Sequence, residues 1–152
     1  MSIFLIFSLT LLFSSLILWR INTRKYISSG TVASAYDSWT QDKLLERLWG
    51  EHIHLGFYPP NKNIDFREAK VQFVHELVSW SGLDKLPRGS RVLDVGCGIG
   101  GSSRILANYY GFNVTGITIS PAQVKRAKEL TPSECTCNFK VMDALNLKFE
   151  EG

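Results

Sequence analysis

The feature that most constrains the fold is a short apolar strand that leads directly into a glycine-rich turn and then into a helix. The pattern predicts a strand at Arg91–Val95, a turn at Gly96–Gly101, and a helix from Ser102 to Tyr110 that ends at Gly111. Glycine is required where the chain turns tightly and where a ligand approaches the backbone without a Cβ in between. This order therefore predicts an α/β, Rossmann-like fold with a nucleotide-type ligand at the loop.

The end of the next predicted strand indicates which nucleotide the loop binds. Dinucleotide sites carry a carboxylate about 20 residues after the glycines, where it binds the ribose hydroxyls. Here the strand Asn113–Thr118 ends in a threonine, and Asp94 is the next-to-last residue of the first strand, where dinucleotide folds usually place an apolar residue. A nicotinamide cofactor is disfavoured but stays open as an alternative. The chain has no Gly-Lys-Ser or Gly-Lys-Thr sequence, so a P-loop is excluded.

The chain divides into three predicted parts. Residues 1–25 form a membrane anchor, residues 26–88 a linker and a helical N-terminal cap region, and residues 89–152 the first half of the Rossmann-like domain. The sheet is expected to be incomplete, because the sequence stops soon after its third predicted strand. In the cap region, apolar spacing predicts a helix from Asp37 to Trp49 and a second from Asp65 to Trp80, with Asp65 as its N-cap.

The anchor prediction depends on Ile3–Trp19, a stretch without charged residues that is just long enough to span a bilayer. A signal peptide is the alternative, but no basic residue precedes the stretch and no small-x-small cleavage site follows it. Arg20, Arg24 and Lys25 follow the stretch and predict that the folded part lies on the cytoplasmic, or stromal, side of the membrane.

Composition excludes several other classes of protein. The net charge is +3 and the basic residues are scattered, so no nucleic-acid-binding surface is predicted. The three cysteines contain no Cys-x-x-Cys pair, which disfavours a disulfide framework or a zinc site. His52 and His54 share one face if their segment is extended, but two histidines do not make a metal site, and we predict no metal. A structural role and an acid–base role stay open for both histidines.

The glycine loop and the second strand resemble a known enzyme family. Val92–Gly101 resembles motif I of the class I S-adenosylmethionine-dependent methyltransferases, and Gly116–Gln123 resembles the branch with tocopherol, sterol and cyclopropane-forming methyltransferases. With Ala35–Trp39 and Trp49–Gly56, the chain resembles cyanobacterial-type 2-methyl-6-phytyl-1,4-hydroquinone methyltransferases. The resemblance implies C-methylation of a lipid-soluble prenylquinol with S-adenosyl-L-methionine, in tocopherol and plastoquinone biosynthesis. A tocopherol or sterol C-methyltransferase, or an inactive membrane-tethered fragment, remains an alternative.

The resemblance also implies site residues in the cap region, the glycine loop and the ends of the second and third strands. The expected cofactor contacts are Tyr36, Asp94, Gly96, Cys97, Gly98, Gly100, Thr118, Ile119, Gln123, Asp143 and Ala144. Cys97 is expected to be a buried thiol rather than a nucleophile, and Gln123 can also complete a capping box with Ser120. No catalytic base is identified. Glu51, His52 and His54 are candidates by residue type only.

Overall fold

The computed structural model describes residues 12–17 and 29–149. The chain divides into two compact units, residues 1–32 and residues 33–152. In the first unit, residues 12–17 are helical. The rest of the predicted anchor, residues 1–25, lies outside the described residues. Within the described residues, no helix has both the length and the apolar character needed to cross a membrane.

Between residues 29 and 82, three α-helices precede the sheet, and their bounds are α1 (Ser29–Gln41), α2 (Leu44–Trp49) and α3 (Phe66–Ser81). The prediction of one continuous helix from Asp37 to Trp49 is wrong. Lys43 takes the left-handed conformation with φ 55°, and the Asp42 carboxylate accepts the N–H of Leu44 at 2.8 Å, so a second helix begins there. The short linker predicted at residues 26–32 is wrong in part, because α1 already begins at Ser29.

The N-terminus of α3 agrees with the prediction. Asp65 is the N-cap, and its Oδ1 accepts the N–H groups of Arg67 and Glu68 at 2.7 and 2.9 Å. These two hydrogen bonds hold the pKa of Asp65 below its usual value. Gly82, with φ 73°, ends the helix in the left-handed conformation that glycine adopts without strain.

A parallel three-stranded sheet of order β1-β2-β3 follows, with β1 (Arg91–Val95), β2 (Asn113–Thr118) and β3 (Cys137–Val141). The crossovers contain α4 (Gly101–Asn108) and α5 (Pro121–Leu130). α4 ends two residues earlier than predicted, at Asn108, since Tyr109 is its C-cap. The predicted α/β, Rossmann-like arrangement with a partial parallel sheet is confirmed. Its strands all end at one edge, where ligands bind in such sheets.

The core lies between the sheet and the helices on it. One cluster is made by Val78, Leu106, Ala107, Phe112, Val114 and Cys135, and a second by Cys97, Val124, Ala127 and Phe139. The ring of Phe139 lies where a Cβ on Gly100 or Gly116 would be, at 2.7–2.8 Å from each built position. Phe139 therefore supports the glycine loop from below.

Candidate functional site

A cavity of about 430 Å³ lies at the carboxyl ends of the strands. One wall is the glycine loop with the ends of β2 and β3, and the other is the cap segment, which we define as residues 33–60. The predicted site residues that line the cavity are Tyr36, Glu51, His52, His54, Asp94, Gly96, Cys97, Gly98, Thr118, Ile119, Gln123 and Ala144. Gly100 and Asp143 are not in the lining. Residues that are far apart in the sequence therefore line the same cavity.

The glycines of the loop have two different functions. Gly96 and Gly98 have φ 76° and 56°, and a Cβ built on either would meet no atom within 4 Å. They border open space in the cavity, as expected where a ligand approaches the backbone. Gly100 also has positive φ, at 85°, but its Cβ would lie 2.7 Å from the Phe139 ring. Gly100 is needed for packing rather than for ligand approach.

Two polar groups of the first wall have altered acidity. The half-buried carboxylate of Asp94 accepts the hydroxyl of Ser103 at 2.6 Å. Burial raises the pKa of Asp94, and the Ser103 hydrogen bond opposes that shift. Burial, assisted by the Asp94 charge, raises the pKa of Cys97 to about 12. The Cys97 thiol therefore stays protonated near neutral pH, which fits the packing role expected for it and not a nucleophile.

The end of β2 carries a buried hydrogen-bonded pair. The Thr118 hydroxyl donates to Oε1 of Gln123 at 2.7 Å. Ser120, the N-cap of α5, accepts the N–H of Gln123 at 3.1 Å, and Pro121 occupies the first helical position. Half of the predicted capping box forms, whereas the Gln123 side chain binds Thr118. A nicotinamide site would require an acid where Thr118 lies.

The end of β3 reaches the cavity through residues beside Asp143. Oδ1 of Asp143 accepts the N–H of Leu145 at 2.9 Å, and its carbonyl accepts the N–H of Asn146 at 3.0 Å. These are the contacts of a turn residue. Met142, which was not predicted, and Ala144 line the cavity.

The two histidines of the cap segment form a pair. His54 Nδ1 lies 2.8 Å from the carbonyl of Leu55, which can only accept, so Nδ1 carries the proton. The Nε2 of His54 is then the acceptor for Nδ1–H of His52, 3.2 Å away. Burial, followed by the neighbouring His54, lowers the pKa of His52 to about 4, with a further contribution from the cations Arg104 and Lys70 and an opposing one from Glu51. His52 is therefore neutral at pH 7, with its Nε2 as the acceptor.

Polar contacts that the sequence did not predict fasten the cap segment. The buried Arg104 donates to Glu51 at 2.6 Å and also to the carbonyl of Ile99 and the hydroxyl of Thr131, at 2.9 and 3.0 Å. Glu51 is thus an ion-pair partner, which makes it the least suitable of the three candidate bases. In the sequence, the one indication that Arg104 has a structural role is that this charged residue falls among the apolar positions of α4.

Lys70 fastens the same segment from α3. Its Nζ donates to the carbonyls of Trp49 and His52 at 2.9 and 2.8 Å, and burial lowers its pKa. The signal in the sequence was a lysine one turn after Phe66 on the apolar face of that helix. Nothing in the sequence pattern indicates the third contact. Glu46, which lines the cavity, pairs with Arg126 at 2.6 Å. That hydrogen bond lowers the pKa of Glu46.

Known proteins are similar to this chain in sequence and in fold. Residues 92–152 match the profile of a family described as a methyltransferase domain. The solved structure of the 4+2 cyclase SpnF has a TM-score of 0.67 and 28% identity, and the match covers 80% of this chain and 45% of that one. The resemblance to class I methyltransferases is thereby confirmed. This structural neighbour is a cyclase, so the fold alone does not determine the reaction.

Two relatives of known activity are more similar to this chain in sequence. The 2-methyl-6-phytyl-1,4-hydroquinone methyltransferase of Synechocystis is 61% identical over 137 residues, which is 89% of this chain and 43% of that protein. The chloroplastic tocopherol O-methyltransferase of Arabidopsis thaliana is 39% identical over 120 residues, or 72% of this chain and 34% of that protein. The chain therefore spans less than half the length of these relatives.

Proposed function

We propose that the full-length protein containing this chain transfers a methyl group from S-adenosyl-L-methionine to a ring carbon of a lipid-soluble prenylated quinol of the 2-methyl-6-phytyl-1,4-hydroquinone type. The observation that carries the proposal is the cavity. It gathers the residues of the methyltransferase motifs beside the His52–His54 pair, in a chain that is 61% identical to the Synechocystis enzyme.

The residues at the first wall fit this cofactor. Gly96 and Gly98 leave open space beside the backbone, which a nucleoside-linked ligand needs. The carboxylate of Asp94 would hold the ammonium group of the methionine part. Because the carbonyl of Gln123 is occupied by Thr118, its amide donors are the part of that side chain available to ribose hydroxyls. When bound, S-adenosylmethionine supplies an electrophilic methyl group on sulfur.

Five further positions complete the proposed cofactor site. Ile119 and Ala144 line the cavity, and in the proposed site they would contact the ribose region and the adenine. Asp143 acts there through the turn that it stabilises. Tyr36 and Trp39 close the cofactor end of the cavity from α1, where their rings meet edge to face with centroids 5.4 Å apart.

The histidine pair is the proposed base. A quinol ring becomes more nucleophilic at carbon when a ring hydroxyl loses a proton. The Nε2 of His52 accepts that proton while its Nδ1–H passes to His54 across the 3.2 Å contact. The lowered pKa leaves His52 unprotonated at pH 7 but makes it a weak base by itself, so passing the Nδ1 proton on to His54 is what lets the pair accept the quinol proton. Replacing either ring by asparagine should therefore lower kcat more than it changes donor binding.

One other reaction is favoured by a specific observation. The tocopherol O-methyltransferase is 39% identical to this chain, so an O-methyl product on a chromanol is the second candidate. The lining supports either acceptor, since Leu45 and Ile53 offer apolar contact to a ring with an isoprenoid tail. The acceptor therefore has to be identified by experiment.

We also propose residues 1–25 as a membrane anchor, supported by the uncharged stretch of residues 3–19 and the cations after it. An anchored enzyme meets a prenylated acceptor at the bilayer surface, where that acceptor partitions. Removing residues 1–25 should leave the Kd for S-adenosylhomocysteine unchanged and reduce turnover of quinol in vesicles. Equal turnover of the two proteins on vesicles would contradict this role.

The decisive experiment uses the full-length protein in lipid vesicles with methyl-labelled S-adenosylmethionine. 2-Methyl-6-phytylquinol, a tocopherol and a sterol are offered in parallel, and label is expected in a ring carbon of the phytylquinol. The Asp94→Asn variant should lose most of this activity, while Asp84→Asn, on the exposed turn after α3, should retain it. Label in another acceptor, or in none, would reject the substrate assignment.

A further inference from the structure

We infer that Asp37, a residue with no assigned role, is a positioning residue that sets the distance between the two walls at the cofactor end of the cavity. The inference rests on the proposed function, because it concerns the same ligand. Asp37 lies on α1, between the cavity-lining Tyr36 and Trp39. Its carboxylate reaches across to the loop between β2 and α5.

The contacts of Asp37 are specific. Oδ1 accepts the hydroxyl of Ser120 at 2.5 Å and the N–H of Ala122 at 3.0 Å. Ala122 is at the start of the ten-residue α5, where the first N–H groups have no partner inside the helix. A carboxylate from a distant part of the chain thus satisfies the positive end of that helix, an interaction that stabilises both partners.

The contact continues to the residues that face the ligand. Ser120 is completely buried and accepts the N–H of Gln123 while its hydroxyl donates to Asp37. Gln123 in turn accepts from Thr118. One chain of hydrogen bonds therefore runs from α1 of the cap segment to the pair proposed to bind ribose. Charge-assisted bonds of this kind are short and strongly directional.

Loss of the carboxylate has a defined consequence. The hydroxyl of Ser120 and the N–H of Ala122 lose their acceptor, and α1 loses a direct contact with the second wall. Tyr36 and Trp39 are then less well placed over the cofactor, while the glycine loop and the histidine pair are unaffected. Donor binding should weaken, and the chemical step should change little.

The test compares Asp37→Ala and Asp37→Asn with Asp65→Ala in the full-length protein. Asp65 is a matched control, because it also accepts two bonds, from the N–H groups of Arg67 and Glu68 at the start of α3, but does not line the cavity. Asparagine keeps an acceptor oxygen without the charge. S-adenosylhomocysteine binding is measured by calorimetry, and amide hydrogen exchange of segments 33–41 and 118–124 is measured without ligand.

For Asp37→Ala we expect the Kd for S-adenosylhomocysteine and the KM for the donor to rise at least about tenfold, since bonds to charged groups are the strong ones. The kcat of Asp37→Ala should differ from the wild-type kcat by less than about threefold. Exchange should quicken in both segments. Asp37→Asn should recover most of the affinity, and Asp65→Ala should bind like the wild type.

The outcomes separate this inference from the proposed function. If the wild-type protein does not bind S-adenosylhomocysteine, the proposed function fails, whereas faster exchange in both segments of Asp37→Ala would still support the contact. If the wild type binds and Asp37→Ala binds equally well, the positioning role is wrong. An equal loss of affinity in Asp65→Ala would likewise overturn it, since the effect would then be general destabilisation.

Discussion

The glycine loop and the cap segment form opposite walls of one cavity, but different kinds of interaction hold them. The loop is fixed by neighbours in sequence and by the sheet: the N–H groups of Gly96 and Cys97 both donate to the carbonyl of Ile117, at 2.8 and 3.0 Å. The cap segment is fixed by side chains from distant positions, including Lys70, Arg104 and Arg126. One wall follows from backbone geometry, and the other depends on a few charged partners.

This difference has a physical reason. A tight turn needs glycine at positive φ, so its residue types are restricted and easy to recognise. An ion pair needs only opposite charges at the right place in the fold, and Glu51 and Arg104 lie 53 positions apart. The loop should therefore respond most to a change of volume, and the cap segment to the loss of a charge.

The largest effect is expected at Arg104, which touches both walls. Arg104→Met leaves the carbonyl of Ile99, the hydroxyl of Thr131 and the Glu51 carboxylate without their donor, and should cost about 3 kcal/mol of unfolding free energy. Glu51→Gln removes only the cap contact and should cost about 1 kcal/mol. Urea denaturation measures both. A cost for Glu51→Gln equal to that of Arg104→Met would show that the cap contact dominates.

The second prediction concerns volume in the loop. Gly100→Ala adds a Cβ at 2.7 Å from the Phe139 ring and forces alanine to φ 85°. Strain and overpacking together should cost about 2 kcal/mol. Gly89→Ala is the matched control, because Gly89 has φ 86° and nothing lies within 4 Å of its Cβ, so only strain of about 1 kcal/mol is expected. Similar melting temperatures for the two variants would contradict the packing role of Gly100.

The effect that is smallest at neutral pH is a pH dependence from His52. The unfolded chain protonates this residue near pH 6.5, whereas the folded protein does so only near pH 4. The unfolded state binds more protons in that window, so acid destabilises the protein as pH falls from about 6.5 to 4. His52→Gln should lessen the fall in melting temperature across this window by roughly 5–10 °C. An unchanged fall would show that His52 does not contribute to acid unfolding.

Most of the fold could be predicted from the sequence, and so could the wall formed by the loop. The strands, the N-caps Asp65 and Ser120 and the order around Gly96 follow from local patterns, which a single sequence displays. The break at Lys43 was missed because it depends on one left-handed residue between two apolar helical runs. Asp37, Lys70 and Arg104 were missed because their partners meet only after folding.

The position of Phe139 has a consequence for how sequences of this kind can diverge. Its ring occupies the volume that a methyl group on Gly116 would need, and Gly116, unlike Gly100, has no positive φ. Alanine is therefore sterically excluded at position 116 by its neighbour and not by its own backbone. A shorter residue at 139 would remove most of that restriction, leaving the Cys97 Cβ 3.0 Å from the added methyl group. Positions 116 and 139 should therefore covary among relatives, glycine with phenylalanine and alanine with a smaller apolar residue.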